Sequence, residues 1–489
     1  MSFPVKIYLI LTLIFGSGFS FAQELLEPTD FLSIEFHKVR RQELRSSLPS
    51  NSVAVFFANP VRNRANDVDY IYHQDPNFYY LTGYREPHAV LLIFKDKQAK
   101  EDGTYYNEII FVQPRDAFAE MWTGRRLGDA GVKAKLKIQE VFNNTDFADF
   151  NLAFSKFDKI LFDDFKGDVR NDEGEPADLY NLIEQFKEKV NYPIKGVEDL
   201  QLEPQKQNLD IESLSGLLAN MRGIKTKEEL KLLRKAIDIS TIGQVEVMKA
   251  MKPGMSETEI QGIHEFVFKK YGSEYEGYPS IVGAGNNGCI LHYIDNYKPE
   301  IDNKEMVLMD LGAEYRGYTA DVTRTIPVNG KFNKEQKAIY DLVFKAQDQA
   351  MKESKAGVAW RAPTITARRI INEGLFDLGI IDSVNQKHMY FPHGISHHIG
   401  LDVHDLGNYE KFEPGMVITV EPGIYIPEGS KCAKKWWGIA VRIEDCVLIT
   451  EKGEPELLSD LAPRTSKEIE LMMAKPSALD GFQLPNLDD

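Results

Sequence analysis

Residues 305–326, EMVLMDLGAEYRGYTADVTRTI, predict a β-hairpin in the second half of the chain. Two runs of strand-forming residues flank Glu314-Tyr-Arg-Gly317, which is typical of a turn. If the hairpin is centred on the bond after Tyr315, Asp310 lies directly opposite Asp321. Directly opposed residues have Cβ atoms about 4.5–5.5 Å apart, and like charges in such a pair destabilise the sheet. The hairpin therefore predicts that the two carboxylates share a proton or are neutralised by cations, and two bridging metal ions would fit.

Three further ligand candidates lie downstream of the hairpin. His397 belongs to the segment HGISHHIGLDVHD, which begins at His393. Glu421 and Glu444 each interrupt a sequence that otherwise predicts a buried strand, and a buried carboxylate without a partner is costly. With the hairpin aspartates, these residues offer four carboxylates and one imidazole. This oxygen-rich set suits Mn²⁺ and tolerates Co²⁺, Fe²⁺ or Zn²⁺, and it differs from the His/Cys-rich pattern of structural zinc sites.

Composition places the chain among soluble globular proteins. Its 489 residues suffice for two domains, and 43% are hydrophobic and 27% charged. The net charge of −16 argues against nucleic acid as a partner, because phosphate contacts need surfaces rich in lysine and arginine. The three cysteines, Cys289, Cys432 and Cys446, do not form a disulfide framework. One pair could still bond, but small buried hydrophobic residues are the favoured interpretation.

The N-terminus predicts export. Lys6 precedes an apolar run over residues 7–15, and a site with small residues ends at Ala22. This pattern is typical of a secretory signal peptide over residues 1–22. The alternative is a membrane anchor, but nine apolar residues are too few for a bilayer that needs about 20. We therefore expect a periplasmic or secreted protein with no stable membrane insertion after cleavage of the signal peptide.

The order of predicted elements divides the rest of the chain into two domains. Residues 35–195 mix short apolar strands with helices and predict an α/β domain, and 196–222 predict a linker. Residues 223–462 predict the second domain, and 463–489 predict a C-terminal tail. The strand candidates of the first domain are residues 53–57, 89–94, 108–112 and 159–162.

The second domain repeats one order of elements. Thr226-x-x-Glu229 and Ser256-x-x-Glu259 are capping boxes that open two helices, and the hairpin follows them. Asn333-x-x-Gln336 and a helix over about 363–378 begin the plan again, and strands beyond residue 416 close it. Two helix–helix–sheet halves predict pseudo-twofold symmetry, an inference from order alone. The first half supplies two ligand candidates and the second supplies three, so we expect a metal centre between the halves.

With these motifs, the chain resembles the Xaa-Pro aminopeptidases, the aminopeptidase P group of the pita-bread metallopeptidases. The resemblance covers about residues 35–470 and rests on the joint order of motifs that are weak singly. It implies an α/β N-terminal domain and an α+β pita-bread (creatinase/aminopeptidase) catalytic domain with pseudo-twofold symmetry. The motifs are NFYYLTGY (77–84), MWTGRRLG (121–128), IVGAGNNGCILHY (281–293), MDLG (309–312), ADVTRT (320–325), HGISH (393–397), GLDVHD (400–405), TVEPGIY (419–425) and VRIED (441–445).

The resemblance implies a dinuclear metal centre. In it, Asp321 bridges two divalent cations, Asp310 joins it at one of them, and His397 binds a single cation. Glu421 and Glu444 complete the set of ligands. Two cations about 3.5–4 Å apart share a water molecule and lower its pKa. Glu421 is implied to accept the proton and pass it to the leaving nitrogen.

The resemblance also implies the substrate. His292 and His404 would hold a peptide and stabilise the oxyanion, and His393 would lie at the wall of a proline pocket. A tertiary X–Pro amide differs from ordinary peptide bonds, so a dedicated proline pocket is physically reasonable. The implied function is an exported dinuclear-metal aminopeptidase that releases the N-terminal residue from peptides with proline in the second position.

The resemblance also implies residues that support the metal ligands, and the sequence departs from its relatives at two places. Arg442 and Tyr425 are implied to orient ligands and relay protons, together with Asp67. The sequence departs from its relatives at His398, where an aromatic residue is common, and in the insert 426–437. These departures put the shape of the pocket and the access to it in question.

Each ligand candidate also has an ordinary structural interpretation. Asp310 could hydrogen-bond to backbone near the turn, and Asp321 could form an ion pair with Arg324. Glu444 could pair with neighbours of Arg442, and the histidines could belong to an ordinary polar loop.

Other functions stay open at this stage. A prolidase uses the same metal ligands but takes only Xaa-Pro dipeptides, and methionine aminopeptidase is a third possibility. A non-catalytic peptide-binding protein on the pita-bread scaffold and a metal-free, creatinase-like enzyme are disfavoured, because all five ligand candidates are present. The family resemblance suggests a homodimer or homotetramer in which Trp122 of a neighbouring subunit narrows the entrance.

Overall fold

The computed structural model describes residues 28–172, 175–193, 208–482 and 484. The predicted signal peptide, residues 1–22, lies outside the described residues. Among those that are described, no helix combines the length and the apolar character that crossing a bilayer requires.

The N-terminal domain folds around one mixed β-sheet. Its elements are α1 (Ile34–Ser47), β1 (Ser52–Phe57), β2 (Asn63–Ala65), β3 (Val68–Asp69), α2 (Pro76–Thr82), β4 (Val90–Ala99), β5 (Tyr105–Val112), α3 (Ala117–Thr123), α4 (Gly128–Leu136), β6 (Val141–Asn143), β7 (Lys159–Leu161), α5 (Leu179–Val190) and β8 (Leu209–Asp210). The strand order is β6-β5-β4-β1-β7-β8, with β1 antiparallel to β4 and parallel to β7. All four predicted strands are present, which confirms the α/β expectation.

Aromatic residues fill the space between this sheet and α5. The helix buries Leu182, Phe186 and Val190, which recur every four residues and so lie on one face. The ring of Phe186 lies 5.2 Å from that of Phe162 and 5.6 Å from that of Phe154. Because aromatic pairs at such distances add to the free energy of apolar burial, this cluster fixes α5 on the sheet.

The prediction of a linker over 196–222 is wrong for its described part. Residues 194–207 lie outside the described residues, but β8 pairs in parallel with β7 and extends the N-terminal sheet. A helix, α6 (Ser213–Arg222), follows at once and buries Leu214 and Leu218. The polar composition of the segment concealed these apolar positions. Contacts join both domains into one unit from Leu32 onward.

The second domain has two halves with the predicted order. The first half contains α7 (Lys227–Ala250), α8 (Glu257–Lys270), β9 (Tyr275–Glu276), β10 (Ile281–Ala284), β11 (Met306–Leu311), β12 (Ala313–Tyr315), β13 (Tyr318–Thr319) and β14 (Val322–Pro327). The second contains α9 (Lys334–Glu353), α10 (Ala362–Asp377), β15 (Val417–Val420), β16 (Gly423–Ile426), β17 (Ile439–Arg442), β18 (Asp445–Leu448), β19 (Glu456–Leu457) and α11 (Ser466–Met473). The capping boxes at Thr226, Ser256 and Asn333 all form, which confirms the predicted helix starts.

One buried glutamine in each half makes the pseudo-twofold relation visible in side chains. Gln244 on α7 donates from Nε2 to the carbonyls of Met309 and Val322. Gln347 on α9 likewise donates to two carbonyls of the second half, those of Val420 and Ile443. In both halves the first helix is therefore fixed to its sheet at strand ends that carry candidate metal ligands.

The register of the hairpin differs from the predicted one. Tyr315 pairs with Tyr318, and Asp310 pairs with Thr323, so the prediction that Asp310 lies directly opposite Asp321 is wrong. The loop has only two residues, Arg316 and Gly317, and both have positive φ angles, 52° and 87°. Such tight turns match the twist of the strands, and here the turn moves the pairing by two residues. Asp321 becomes a diagonal neighbour of Asp310 on the same face of the hairpin.

The predicted tail, 463–489, is also wrong in its first part. The helix α11 lies within it and buries Ile469. The carbonyl of Pro463 accepts a hydrogen bond from the Arg324 guanidinium at 2.8 Å. The described start of the segment is therefore attached to the second domain through apolar burial and a buried cation.

Candidate metal centre

The two hairpin aspartates share one phenol. Tyr278 Oη lies 2.6 Å from Asp310 Oδ1 and 2.5 Å from Asp321 Oδ1. A phenol has a single proton, so only one of these contacts is a donation from Tyr278, and the other requires a proton on a carboxyl group. Burial and the charge of Asp310 raise the pKa of Asp321 well above its usual value. Of the two aspartates, Asp321 therefore takes up a proton more readily than Asp310.

Asp310 lies in the opposite electrostatic situation. Burial raises the pKa of Asp310, but the Arg442 guanidinium and the Tyr278 hydroxyl outweigh it, and its pKa falls below the usual value. The contact from Arg442 Nη2 to Asp310 Oδ2 is 2.6 Å long. Asp310 is therefore ionised, and the guanidinium of the second half fixes its orientation.

The second half brings the other three candidates to the same place. His397 Nε2 lies 3.4 Å from Asp321 Oδ2 and 3.5 Å from Glu421 Oε1. Asp321, His397 and Glu444 each offer one ligand atom, and these atoms lie within 4.8 Å of one another. Burial raises the pKa of Glu421, and burial with the charge of Asp321 raises the pKa of Glu444 well above its usual value.

These residues fit a pair of divalent cations. Without cations, three of the four carboxyl groups have raised pKa values, first because burial disfavours their charged forms and second because their negative charges repel one another. Bound divalent cations would reverse this repulsion, since they are the largest local charges in such sites. The donor set of four carboxylates and one imidazole is the set predicted from the sequence.

Hydroxyl groups on neighbouring strands hold the glutamates. Thr323 Oγ1 donates to Glu444 Oε2 at 2.7 Å, and Thr419 Oγ1 contacts Glu421 Oε1 at 3.4 Å. Thr419 Oγ1 also accepts from the backbone N–H of His397 at 3.1 Å. One threonine thus orients two candidate ligands at once, an arrangement that fixes a ligand shell.

Most of the predicted site residues surround one cavity of about 530 Å³. Its lining includes all five ligand candidates, the three histidines and Arg442. Its apolar lining residues are Pro279, Ile281, Leu291, Ile294 and Val403. The cavity therefore joins a polar group of candidate ligands to an apolar surface.

Two histidines of the cavity, His393 and His404, have pKa values below the usual value. Burial lowers the pKa of His393 to about 4, and its Nε2 lies 2.9 Å from the Tyr425 hydroxyl. Burial and the neighbouring His397 lower the pKa of His404, whose ring centroid lies 4.3 Å from that of His397. Neutral imidazoles can both donate and accept hydrogen bonds, so these side chains suit the binding of a peptide.

Two predicted residues do not line the cavity. Tyr425 lies behind His393, and its hydroxyl accepts from Arg442 Nη1 at 2.8 Å. Burial raises the pKa of Tyr425 to about 12, so the phenol keeps its proton. Asp67 is exposed in the turn between β2 and β3 and is not among the lining residues, so this structure gives it no contact with the relay.

The structure excludes the ordinary structural interpretations of Asp321 and Glu444. It also places His398, where the sequence departs from its relatives, away from the cavity. Arg324 pairs with Asp445 at 2.7 Å and not with Asp321. Glu444 is held by a threonine and not by neighbours of Arg442. His398 stacks on Trp360 with ring centroids 4.8 Å apart, outside the cavity lining. The functional roles predicted for the cavity residues stay predictions.

Sequence reasoning does not identify Tyr278, Thr323 or Thr419. Threonines in strands are ordinary β-formers, and a tyrosine in a loop gives no pattern. One signal was available, because Thr323 lies two residues after Asp321 and must share its face of the strand.

Comparisons with known proteins agree across both domains. Residues 231–451 match the Metallopeptidase family M24, and residues 37–159 match the Aminopeptidase P, N-terminal domain. The chain is 36% identical over 457 residues to the Xaa-Pro aminopeptidase of Escherichia coli (strain K12), covering 90% of this chain and 97% of the relative. It is 30% identical over 472 residues to human Xaa-Pro aminopeptidase 3, covering 92% and 88%.

Two solved structures are similar over the same extent. The structure of aminopeptidase P from Escherichia coli with the inhibitor Pro-Leu has a TM-score of 0.77 and 33% identity, covering 91% of this chain and 98% of that chain. The structure of the Pseudomonas aeruginosa aminopeptidase PepP has a TM-score of 0.78 and 32% identity, with the same coverage.

Proposed function

The chain belongs to metallopeptidase family M24 and carries the N-terminal domain of aminopeptidase P, and from this premise we propose that it is an exported Xaa-Pro aminopeptidase with a dinuclear metal centre. It is a hydrolase of the metallo-aminopeptidase type. The proposal of a dinuclear metal centre that acts on a peptide is supported most directly by one observation: five candidate ligands and three histidines surround the same cavity.

The candidate ligands would hold two divalent cations, and we propose Mn²⁺. They are Asp310, Asp321, His397, Glu421 and Glu444. When bound, the cations supply Lewis acidity that activates a water molecule and stabilises negative charge on the carbonyl oxygen of the substrate. The oxygen-rich donor set supports Mn²⁺ over a structural zinc ion.

Glu421 is the proposed general base. Its carboxyl group lines the cavity, with Oε1 3.5 Å from His397 Nε2, and a carboxylate in that position can accept a proton from a water molecule held by the cations. It would take a proton from the attacking water and give it to the imino nitrogen of the departing proline. Thr419 keeps Oε1 directed toward the site during this exchange.

The histidines and Tyr425 would bind the peptide. His393, fixed by its contact with the Tyr425 hydroxyl, would form the wall of the proline pocket. Arg442 contacts both Tyr425 and Asp310, so it couples the pocket wall to the ligands. His292 and His404 would donate hydrogen bonds to the substrate and to the developing oxyanion.

Export and assembly are further parts of the proposal. Residues 1–22 support a periplasmic or secreted location, which sequencing of the mature N-terminus would test. Three apolar side chains on α3, Phe118, Met121 and Trp122, are each more than 70% exposed. They support a homodimer or homotetramer, and the molar mass in solution of the wild type and of Trp122→Ala would test it.

Peptide hydrolysis tests the central proposal. The purified protein is incubated with Xaa-Pro-Yaa tripeptides and with Xaa-Ala-Yaa controls, with added Mn²⁺ or with a chelator. We expect release of Xaa from the proline series only, with loss of turnover in chelator. Cleavage of Xaa-Pro dipeptides alone would instead identify a prolidase. Absence of cleavage with Mn²⁺ bound would identify a non-catalytic peptide-binding protein.

A further inference from the structure

The loop that carries His292 has little regular structure of its own. It runs from residue 285 to residue 298, between β10 and the approach to β11, and contains one short 3₁₀ turn, Gly285–Cys289. His292 and Ile294 of this loop line the cavity. Since no strand ladder fixes the loop, its shape depends on side-chain contacts.

A single buried carboxylate receives donors from both ends of this loop. Glu257, the first residue of α8, is fully buried. Its Oε1 accepts from the Ala284 N–H at 2.7 Å and from Asn287 Nδ2 at 3.0 Å. Its Oε2 accepts from the Tyr293 hydroxyl at 2.9 Å and from the Lys298 N–H at 2.8 Å. A carboxylate has no proton to donate, and here all four contacts use it as an acceptor.

Two further contacts tie the far end of the loop to the same helix. Thr258 Oγ1 donates to the carbonyl of Asn296 at 2.9 Å, and Asn296 Nδ2 donates to Gln261 Oε1 at 2.7 Å. Asn296 has a φ of 51°, in the left-handed region, and its Oδ1 accepts from the Val282 N–H at 2.9 Å. The start of α8 and the edge of β10 thus fix both limbs of the loop around His292.

We propose that Glu257 is a positioning residue of the peptidase site, which directs His292 into the cavity. Glu257 does not line the cavity and acts through the loop, most directly through Tyr293, the neighbour of His292. This inference rests on the proposed function, in which His292 contacts the substrate. We call the Glu257 carboxylate and its four hydrogen bonds the clamp. Without it, the loop loses four of the contacts that hold it.

The substitution Glu257→Gln tests the clamp with little change in volume. The new amide places an NH₂ group on one side of the former carboxylate, where it faces the backbone N–H of Ala284 or of Lys298. An N–H cannot accept a hydrogen bond, so at least one of the four hydrogen bonds is lost and a buried donor is left unpaired. We expect kcat/KM for Xaa-Pro-Yaa peptides to fall about tenfold to a hundredfold, the range that displaced catalytic groups produce. The matched control is Glu259→Gln, two residues further in the same helical turn, where glutamine also completes the capping box. The control retains activity within about twofold.

A double-mutant cycle separates positioning from general support of the fold. If Glu257 acts through His292, then Glu257→Gln costs less than about twofold in a His292→Ala background. A full multiplicative loss in that background would overturn the proposal. Tyr293→Phe, which removes one of the four contacts, serves if Glu257→Gln does not fold, and the same coupling to His292 is expected.

Hydrogen exchange of residues 285–298 supplies a readout that needs no turnover. In the substrate-free protein, amides of this loop exchange faster in Glu257→Gln than in wild type and are unchanged in Glu259→Gln. Unchanged exchange in Glu257→Gln would overturn the clamp. If the wild-type protein cleaves no Xaa-Pro peptide, the proposed function fails, while accelerated exchange still supports the clamp as the device that fixes His292.

Discussion

Glu444 and Asp445 are chain neighbours, both fully buried, and they lie in opposite electrostatic environments. Glu444 faces the cavity with three other carboxyl groups, and burial with the charge of Asp321 raises its pKa. Asp445 faces away from the cavity. Burial raises its pKa, but the Arg324 and Arg464 guanidinium groups outweigh this and hold the pKa below the usual value.

The difference separates a structural charge cluster from a functional one. Arg324 and Arg464 both contact Asp445, at 2.7 and 2.8 Å, so that cluster carries its own counter-ions. The metal centre has four carboxylates and one guanidinium, that of Arg442, and lacks enough positive charge of its own. The Asp445 cluster, whose counter-ions come from the protein, can serve stability, and we call it the balanced cluster. The carboxyl groups of the candidate metal centre have too few counter-ions, so they require a bound cation and mark a functional site; we call them the unbalanced cluster.

Removing a carboxylate from the unbalanced cluster should have the largest effect of the substitutions considered, and the property affected should be catalytic activity. We expect Asp321→Asn to lower kcat/KM about a thousandfold or more, since it removes the proposed bridging ligand. In chelator near neutral pH, the variant's melting temperature should rise, because the amide needs neither a buried charge nor the proton uptake on folding that the raised pKa of Asp321 implies. Turnover assays with Mn²⁺ and thermal unfolding with chelator measure the two effects. Robust activity in this variant would refute the dinuclear mechanism.

Removing the acid of the balanced cluster should act on stability instead. Asp445→Asn leaves the buried Arg324 and the half-buried Arg464 without their carboxylate, so we expect a loss of about 3–5 kcal/mol in the free energy of unfolding. Urea unfolding measures it. The exposed Asp382→Asn is the control and should stay within about 0.5 kcal/mol of wild type. An unchanged unfolding midpoint for Asp445→Asn would contradict the distinction between the two clusters.

The two clusters also predict opposite slopes of stability with pH. In chelator, folded Asp321 and Glu444 keep protons that the unfolded chain releases above about pH 4, so their contribution to stability falls as the pH rises. Asp445, with its lowered pKa, contributes stability above about pH 4 that is lost as the pH falls through its folded pKa. Mn²⁺ should abolish the first slope and leave the second. Thermal unfolding across pH, with chelator or with Mn²⁺, measures both, and equal slopes in the two conditions would argue against cation binding by these acids.

Local signals in the sequence were sufficient to predict the helices α7 to α10 and to select the five ligand candidates that line the cavity. Capping boxes predict helix starts because the residues that form them lie three apart, and Thr226, Ser256 and Asn333 all open helices. The five ligand candidates were identified because four carboxylates interrupt segments that otherwise predict strands and one imidazole belongs to a histidine-rich segment. Their convergence required only that the two halves face each other.

Long-range and conformational details could not be predicted in the same way. The hairpin register depends on Arg316 adopting a positive φ, which is uncommon for a residue other than glycine and gives no sequence signal. The partner of Arg324 lies 121 residues away, so no spacing rule selects Asp445 over Asp321. Tyr278 lies in a loop, and only the three-dimensional structure places its hydroxyl between two aspartates.

The substitution Tyr278→Phe should have the smallest effect of the substitutions considered. It tests how an uncharged contact, in place of guanidinium groups, holds the carboxylates of the unbalanced cluster. The Tyr278 hydroxyl is an uncharged link between Asp310 and Asp321, where the balanced cluster uses guanidinium groups. Tyr278→Phe should therefore lower kcat/KM about tenfold, because the aspartates lose a shared orienting contact while the proposed ligands remain. Tyr275→Phe, whose hydroxyl instead bonds to the carbonyl of Tyr72, is the control and should retain activity. Steady-state kinetics at several Mn²⁺ concentrations separates weaker cation binding, which excess Mn²⁺ would restore, from misdirected ligands. A loss as large as that of Asp321→Asn would instead place the phenol among the groups that react with substrate.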